Sequence, residues 1–130
     1  MTKQDHIQYW LNTSQQDWEI VADLLKSKRY VHCLFFAHLA LEKLCKAHWV
    51  KDNESNHPPR IHNLVRILAD TKVRMPEENM VFLERFNDFQ IEGRYPDYMM
   101  RIYKVCTLDY TLDLLNTAKQ INQCLTETLQ

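Results

Sequence analysis

Arg94, Tyr95 and Asp97 crowd around Gly93, the only glycine of the chain, with Pro96 set among them. A guanidinium presents a planar fork of donors to a phosphate, and a tyrosine ring stacks on a base, so this corner carries the parts of a nucleotide site. Glycine enters backbone regions closed to other residues, and proline pushes the residue before it away from helix. Tyr95 is therefore expected to be extended, and Asp97 is placed to cap the helix that follows. The plainer reading is that Gly93 ends one helix, Asp97 starts the next, and Arg94 is solvated.

Two further groups have spacings that bear on chemistry. Glu42 and Lys46 stand four residues apart, in the order that favours an ion pair along a helix, with Lys43 beside them. Taken alone, that spacing describes a solvated salt bridge. His38, Cys45 and His48 fall on roughly one side of the same helix, a geometry that admits a metal only with a ligand from elsewhere. No HExxH, CxxC or carboxylate cluster accompanies them, so packed side chains are expected and neither metal nor cofactor is assigned. One glycine cannot build a phosphate-cradling loop or a GxSxG turn. Basic residues gather locally at Lys26, Lys28 and Arg29, and again at Arg60, His62 and Arg66. Either group could meet a phosphate.

The elements that must hold these side chains read as helices throughout. Ile7, Trp10, Leu11, Trp18, Val21, Leu24 and Leu25 recur at helical steps over residues 3–28. Residues 30–50 are apolar around most of the circumference, the mark of a central helix touched on several sides. Residues 51–59 are the most polar run and end in Pro58 and Pro59, which predicts an exposed and mobile loop. Short helices follow around Ile61 to Ala69 and from Pro76 to Phe89, where proline and acids suit a first turn. Ile102, Val105, Leu108, Leu112, Leu115, Ala118, Ile121 and Leu125 then trace a last long helix over residues 98–128. The fold expected is all-α, an up-and-down helical bundle of three long helices plus two short ones, with residues 1–130 forming one domain.

Composition narrows the partners. The apolar fraction is 45%, the charged fraction 25% and the net charge -1, so the chain as a whole exerts no pull on nucleic acid or an anionic membrane. Any such partner must be held by a local patch. No signal peptide opens at Met1, and the charge-free stretch 30–41 is too short to span a bilayer, so a cytoplasmic protein with no membrane contact is expected. Cys33, Cys45, Cys106 and Cys124 form no close pair and are expected to be reduced and mostly in the core.

Three segments taken in order resemble the HEPN domain family of prokaryotes. They are Phe36 to Ala47, with His38, Glu42, Lys43 and Lys46; His62-Asn63-Leu64; and Arg94-Tyr95-Pro96-Asp97. Trp18, Asp23 and Tyr30 also fall where such a chain has similar residues. The resemblance implies a helical bundle, usually a homodimer, often encoded beside a separate minimal nucleotidyltransferase chain in a toxin-antitoxin-like system. It implies that Arg94, Tyr95 and Asp97 line a groove with Glu42, Lys43, Lys46 and His62, and that this groove takes a nucleotide, RNA or the partner. Many relatives are instead ribonucleases that use an Arg followed four to six residues later by a His. No Arg here has a His at that spacing, and no His follows His62, so the non-catalytic branch is the expectation. The nuclease toxin and a purely structural dimer module are the alternatives.

Overall fold

The computed structural model of the chain describes residues 1–129. Its elements are α1 (Lys3–Lys26), α2 (Tyr30–Asp52), α3 (Leu64–Leu68), α4 (Glu77–Phe86), a 3-10 turn at Asn87–Phe89, α5 (Pro96–Val105) and α6 (Leu108–Glu127). No strand occurs among the described residues, and none of the helices is long and apolar enough to cross a membrane. The all-α bundle expected from the periodicity is the fold observed.

α1 begins with Thr2 as its cap. The Thr2 hydroxyl accepts from the Asp5 amide, and the Asp5 carboxylate accepts from the Thr2 amide, a reciprocal pair that satisfies two otherwise orphaned donors. These bonds hold the Asp5 carboxyl below its ordinary range. The helix ends at Ser27, where Lys28 turns left-handed at φ 62° and the Arg29 amide reaches back to the Leu24 carbonyl at 2.9 Å. This closure usually employs glycine.

The tight turn folds α2 back along α1. Cys33 Sγ meets the Val21 carbonyl, the Ser14 hydroxyl donates to the Ala40 carbonyl at 2.7 Å, and Lys3 Nζ donates to the Val50 carbonyl at 2.8 Å. Residues further along α2 thus meet residues nearer the start of α1, so the two helices are antiparallel. α2 also packs against α3, α5, α6 and the 3-10 turn. Leu34, Leu41, Leu44, Cys45 and Val50 are fully or almost fully buried, as expected for a helix apolar all round. At its far end His48 Nε2 bonds the Leu125 carbonyl at 2.8 Å, and Lys51 Nζ donates to the Thr128 carbonyl at 3.1 Å. Both helices advance together through these contacts, so α6 runs parallel to α2. The short helices carry the chain back between them.

Two expectations change. The last long helix is two helices, because Cys106 takes φ -80° and ψ 74°, and Thr107 caps α6 by accepting from the Tyr110 amide at 3.3 Å. Apolar steps of three and four continue through this break, and periodicity alone therefore cannot show it. The polar loop begins later than expected, because Lys51 and Asp52 still belong to α2, and it is tethered at its start. Lys3 Nζ also donates to the Asn53 carbonyl at 2.7 Å, Asn53 bridges to the Asp70 carbonyl, and Asp52 accepts from the Lys72 amide. The ammonium at the C-terminal end of α2 also complements the helix dipole there.

Candidate functional site

Glu42 lies in the middle of α2 with its carboxylate almost wholly buried, and three other side chains turn towards it. Lys46, one turn on, places Nζ 3.1 Å from Oε2. His62, from the segment before α3, donates through Nδ1 to both carboxylate oxygens at 3.0 and 3.1 Å. His38, one turn back, holds Nδ1 at 3.9 Å. Lys46 is itself only 7% exposed, whereas His62 keeps 53% of its side chain in solvent. The solvated salt bridge expected between Glu42 and Lys46 is therefore a buried one. A carboxylate shut away from water must be compensated, and here a lysine and a histidine do so while being held in fixed positions.

His38 is fully buried, and burial holds its pKa below the ordinary histidine range despite Glu42. Its Nε2 donates to Asn87 Oδ1 at 3.0 Å, and the same oxygen accepts from the Leu64 amide at 3.0 Å. Asn87 thereby ties α2 to the start of α3. His48 is spent on the Leu125 carbonyl at the other end of α2. Burial pushes the thiols of Cys33 and Cys106 up to about 11 and that of Cys45 higher still, so all three stay protonated. Among the described residues no three His, Cys, Asp or Glu side chains gather as a metal-holding group. All four cysteines are free, but Cys124 is exposed rather than in the core.

The remaining expected site residues are placed differently. Lys43 is taken by Asp17 of α1 at 2.6 Å and joins the two long helices. Gly93 adopts φ 74° and Tyr95 is extended at φ -82° and ψ 163°, as the turn residues require. Asp97 does not cap α5. Tyr95 is the cap residue and makes no side-chain bond, while Asp97 sits exposed in the first turn, where its charge suits the helix dipole. Arg94 does not turn towards Glu42. Its Nε donates to the Gln90 carbonyl at 3.1 Å and its guanidinium lies 4.3 Å over the Tyr98 ring, which Arg101 also approaches at 5.3 Å. Among the described residues no hydrogen bond or ion pair joins the Arg94 corner to Glu42, Lys43, Lys46 or His62. The Glu42 carboxylate already has Lys46 and His62, and the Arg94 guanidinium finds a carbonyl and a ring within its own turn.

Lys46 also reaches a cavity of about 530 Å³ between the start of α1 and residues 56–60, lined in part by His6, Tyr9, Trp10, Asn56, His57 and Arg60. Sequence reasoning singled out Arg60 and Lys46 but missed the rest. His6 and Trp10 are four apart and so share a face of α1, and His57-Pro58-Pro59 is too rigid to be an arbitrary loop. What neither pattern gives is the distance between them across the hairpin.

A family model described as the HEPN domain matches residues 7–128, and the chain belongs to this family. No curated protein and no solved structure matches the chain significantly.

Proposed function

As a HEPN-domain protein the chain is, we propose, a non-catalytic module that binds a nucleotide or nucleic acid and works as a homodimer with a separate minimal nucleotidyltransferase chain in a toxin-antitoxin-like system. The observation that carries this reading is the buried Glu42 carboxylate, which fixes Lys46 and His62 side by side. Preorganised donors of this kind suit an anionic ligand better than flexible surface lysines do, because little side-chain freedom is left to lose. Arg94, Tyr95 and Asp97 form a separate exposed corner, with Tyr95 80% exposed. In this reading the corner meets the partner chain or a strand of nucleic acid, while the Glu42 cluster borders the nucleotide site through Lys46, which lines the neighbouring cavity; Lys43 supports the cluster through Asp17.

A homodimer is favoured by the face that α5 and the start of α6 leave uncovered. Met100, Tyr103, Leu108 and Leu112 are between 43% and 64% exposed on neighbouring turns. A second reading, RNA cleavage, is favoured by one feature: an exposed imidazole held by a buried carboxylate is an arrangement suited to general acid-base chemistry.

Expression of the full chain in bacteria separates the two. The binding module leaves cellular RNA intact and growth unchanged, and it is retained on a tagged nucleotidyltransferase encoded beside it. Growth arrest with RNA cleavage, abolished by His62→Ala, would establish the ribonuclease reading instead.

A further inference from the structure

We propose that the cavity between the start of α1 and residues 56–60 is a site for a nucleoside monophosphate, with Arg60 taking the phosphate and Tyr9 the base. The proposal rests on the nucleotide-binding reading above and assigns it a place and a ligand. Its volume of about 530 Å³ falls within the range of roughly 300–1,000 Å³ usual for small-molecule sites. None of the residues that line it is acidic, and the Glu42 carboxylate behind Lys46 is buried and already paired.

Charge selects the number of phosphates. Lys46 contributes a cation whose charge is already committed to Glu42 at 3.1 Å. Arg60 is exposed and, among the described residues, has no ion-pair or hydrogen-bond partner. His6 and His57 meet edge to face with ring centroids 5.5 Å apart. One uncommitted guanidinium is closer to the charge of about -1.5 to -2 on a single phosphate monoester than to that of a triphosphate, and the two imidazoles beside it offer ring nitrogens to the phosphate oxygens.

The walls select the rest of the ligand. Tyr9 is 54% exposed and packs edge to face on Trp10 at 5.5 Å, which leaves its ring presented as a platform. Trp10 is in turn covered by Lys46 Nζ at 5.5 Å and by the small apolar cluster of Ile7, Ala47 and Val50. That fixes the wall against which Tyr9 stands. Asn56, also on the lining, keeps Oδ1 buried with no hydrogen-bond partner. Lys3 donates to the Asn53 carbonyl at 2.7 Å, which anchors the start of the loop that carries Asn56 and His57.

Calorimetric titration of the full chain with adenosine 5′-monophosphate, adenosine and inorganic phosphate tests this assignment. The monophosphate should bind at one per chain and at least tenfold tighter than either fragment. Arg60→Glu should weaken the monophosphate at least tenfold while leaving any adenosine binding unchanged, Tyr9→Ala should weaken both, and the exposed Lys119→Glu on α6 should change neither. Equal affinity for the monophosphate in wild type and Arg60→Glu, with circular dichroism showing both folded, would overturn the assignment. If RNA or another nucleotide still binds that chain, the site lies elsewhere and only the cavity is refuted. If no nucleotide or RNA binds the wild type at all, the broader reading falls with it.

Discussion

Glu42 sets the character of the site at the scale of single residues, because a buried carboxylate obliges its neighbours to be cations or donors. Glu42→Gln would leave the Lys46 ammonium buried without a counter-charge, and urea denaturation should show a loss of about 3 kcal/mol. The double variant Glu42→Gln with Lys46→Met should recover most of it. A single-variant loss below about 1 kcal/mol would mean that Lys46 reaches water readily and that the cluster is not preorganised. His38 and His48 make a separate prediction for pH. Both are buried, and burial lowers the folded-state pKa of each below 6.5. In the unfolded chain they take up protons near 6.5, and in the fold only at lower pH. Their contribution is thus fully present above about pH 6.5 and is lost as pH falls from there through the lowered folded values. The midpoint of thermal unfolding should fall between pH 7 and 5, and His48→Gln should flatten that slope. An unchanged slope would show that His48 is not held neutral.

Among the elements, the turns decide what could be read in advance. The apolar periodicity of α1 and α2 is carried by side chains such as Val21, Leu34 and Leu41 that are in fact buried, so both helices and the central position of α2 were legible. The Glu42 and Lys46 spacing gave the pair but not its burial, because burial depends on His62 and α1 arriving from elsewhere in the sequence. The closure after α1 uses Lys28 where glycine is usual, and the break before α6 uses a threonine cap inside unbroken apolar spacing. The polar run Lys26 to Arg29 marks the first of these turns in the sequence, although not its left-handed residue, whereas the second departs from no helical pattern. Both can be tested by stability. Lys28→Gly relieves a left-handed conformation that costs other residues about 1–2 kcal/mol, less glycine's extra backbone freedom when unfolded, and should raise stability by roughly 0.5–1 kcal/mol. Thr107→Ala removes a capping bond and should cost about 1 kcal/mol in the same urea titration. Equal stability of Thr107→Ala and wild type would mean that the α5–α6 break is fixed by packing of Cys106 rather than by the cap.

For the whole molecule, the HEPN bundle divides its polar side chains between a preorganised cluster on α2 and an exposed corner before α5, while the α5–α6 face stays apolar. If that face closes a homodimer, light scattering should give twice the mass of one chain at micromolar concentration, and Tyr103→Glu with Leu108→Glu should return the single-chain mass without loss of helix. A wild-type chain of single mass would remove the dimer from the account. The claim on which the rest depends is that the chain binds a nucleotide or RNA and leaves it chemically unchanged. Equilibrium dialysis of the full chain against a labelled mixture of mononucleotides and short RNA, followed by chromatography of what is retained, tests it most directly. The account predicts saturable retention of a nucleotide or RNA that is recovered intact. Retention of nothing, or recovery of shortened RNA, would contradict it.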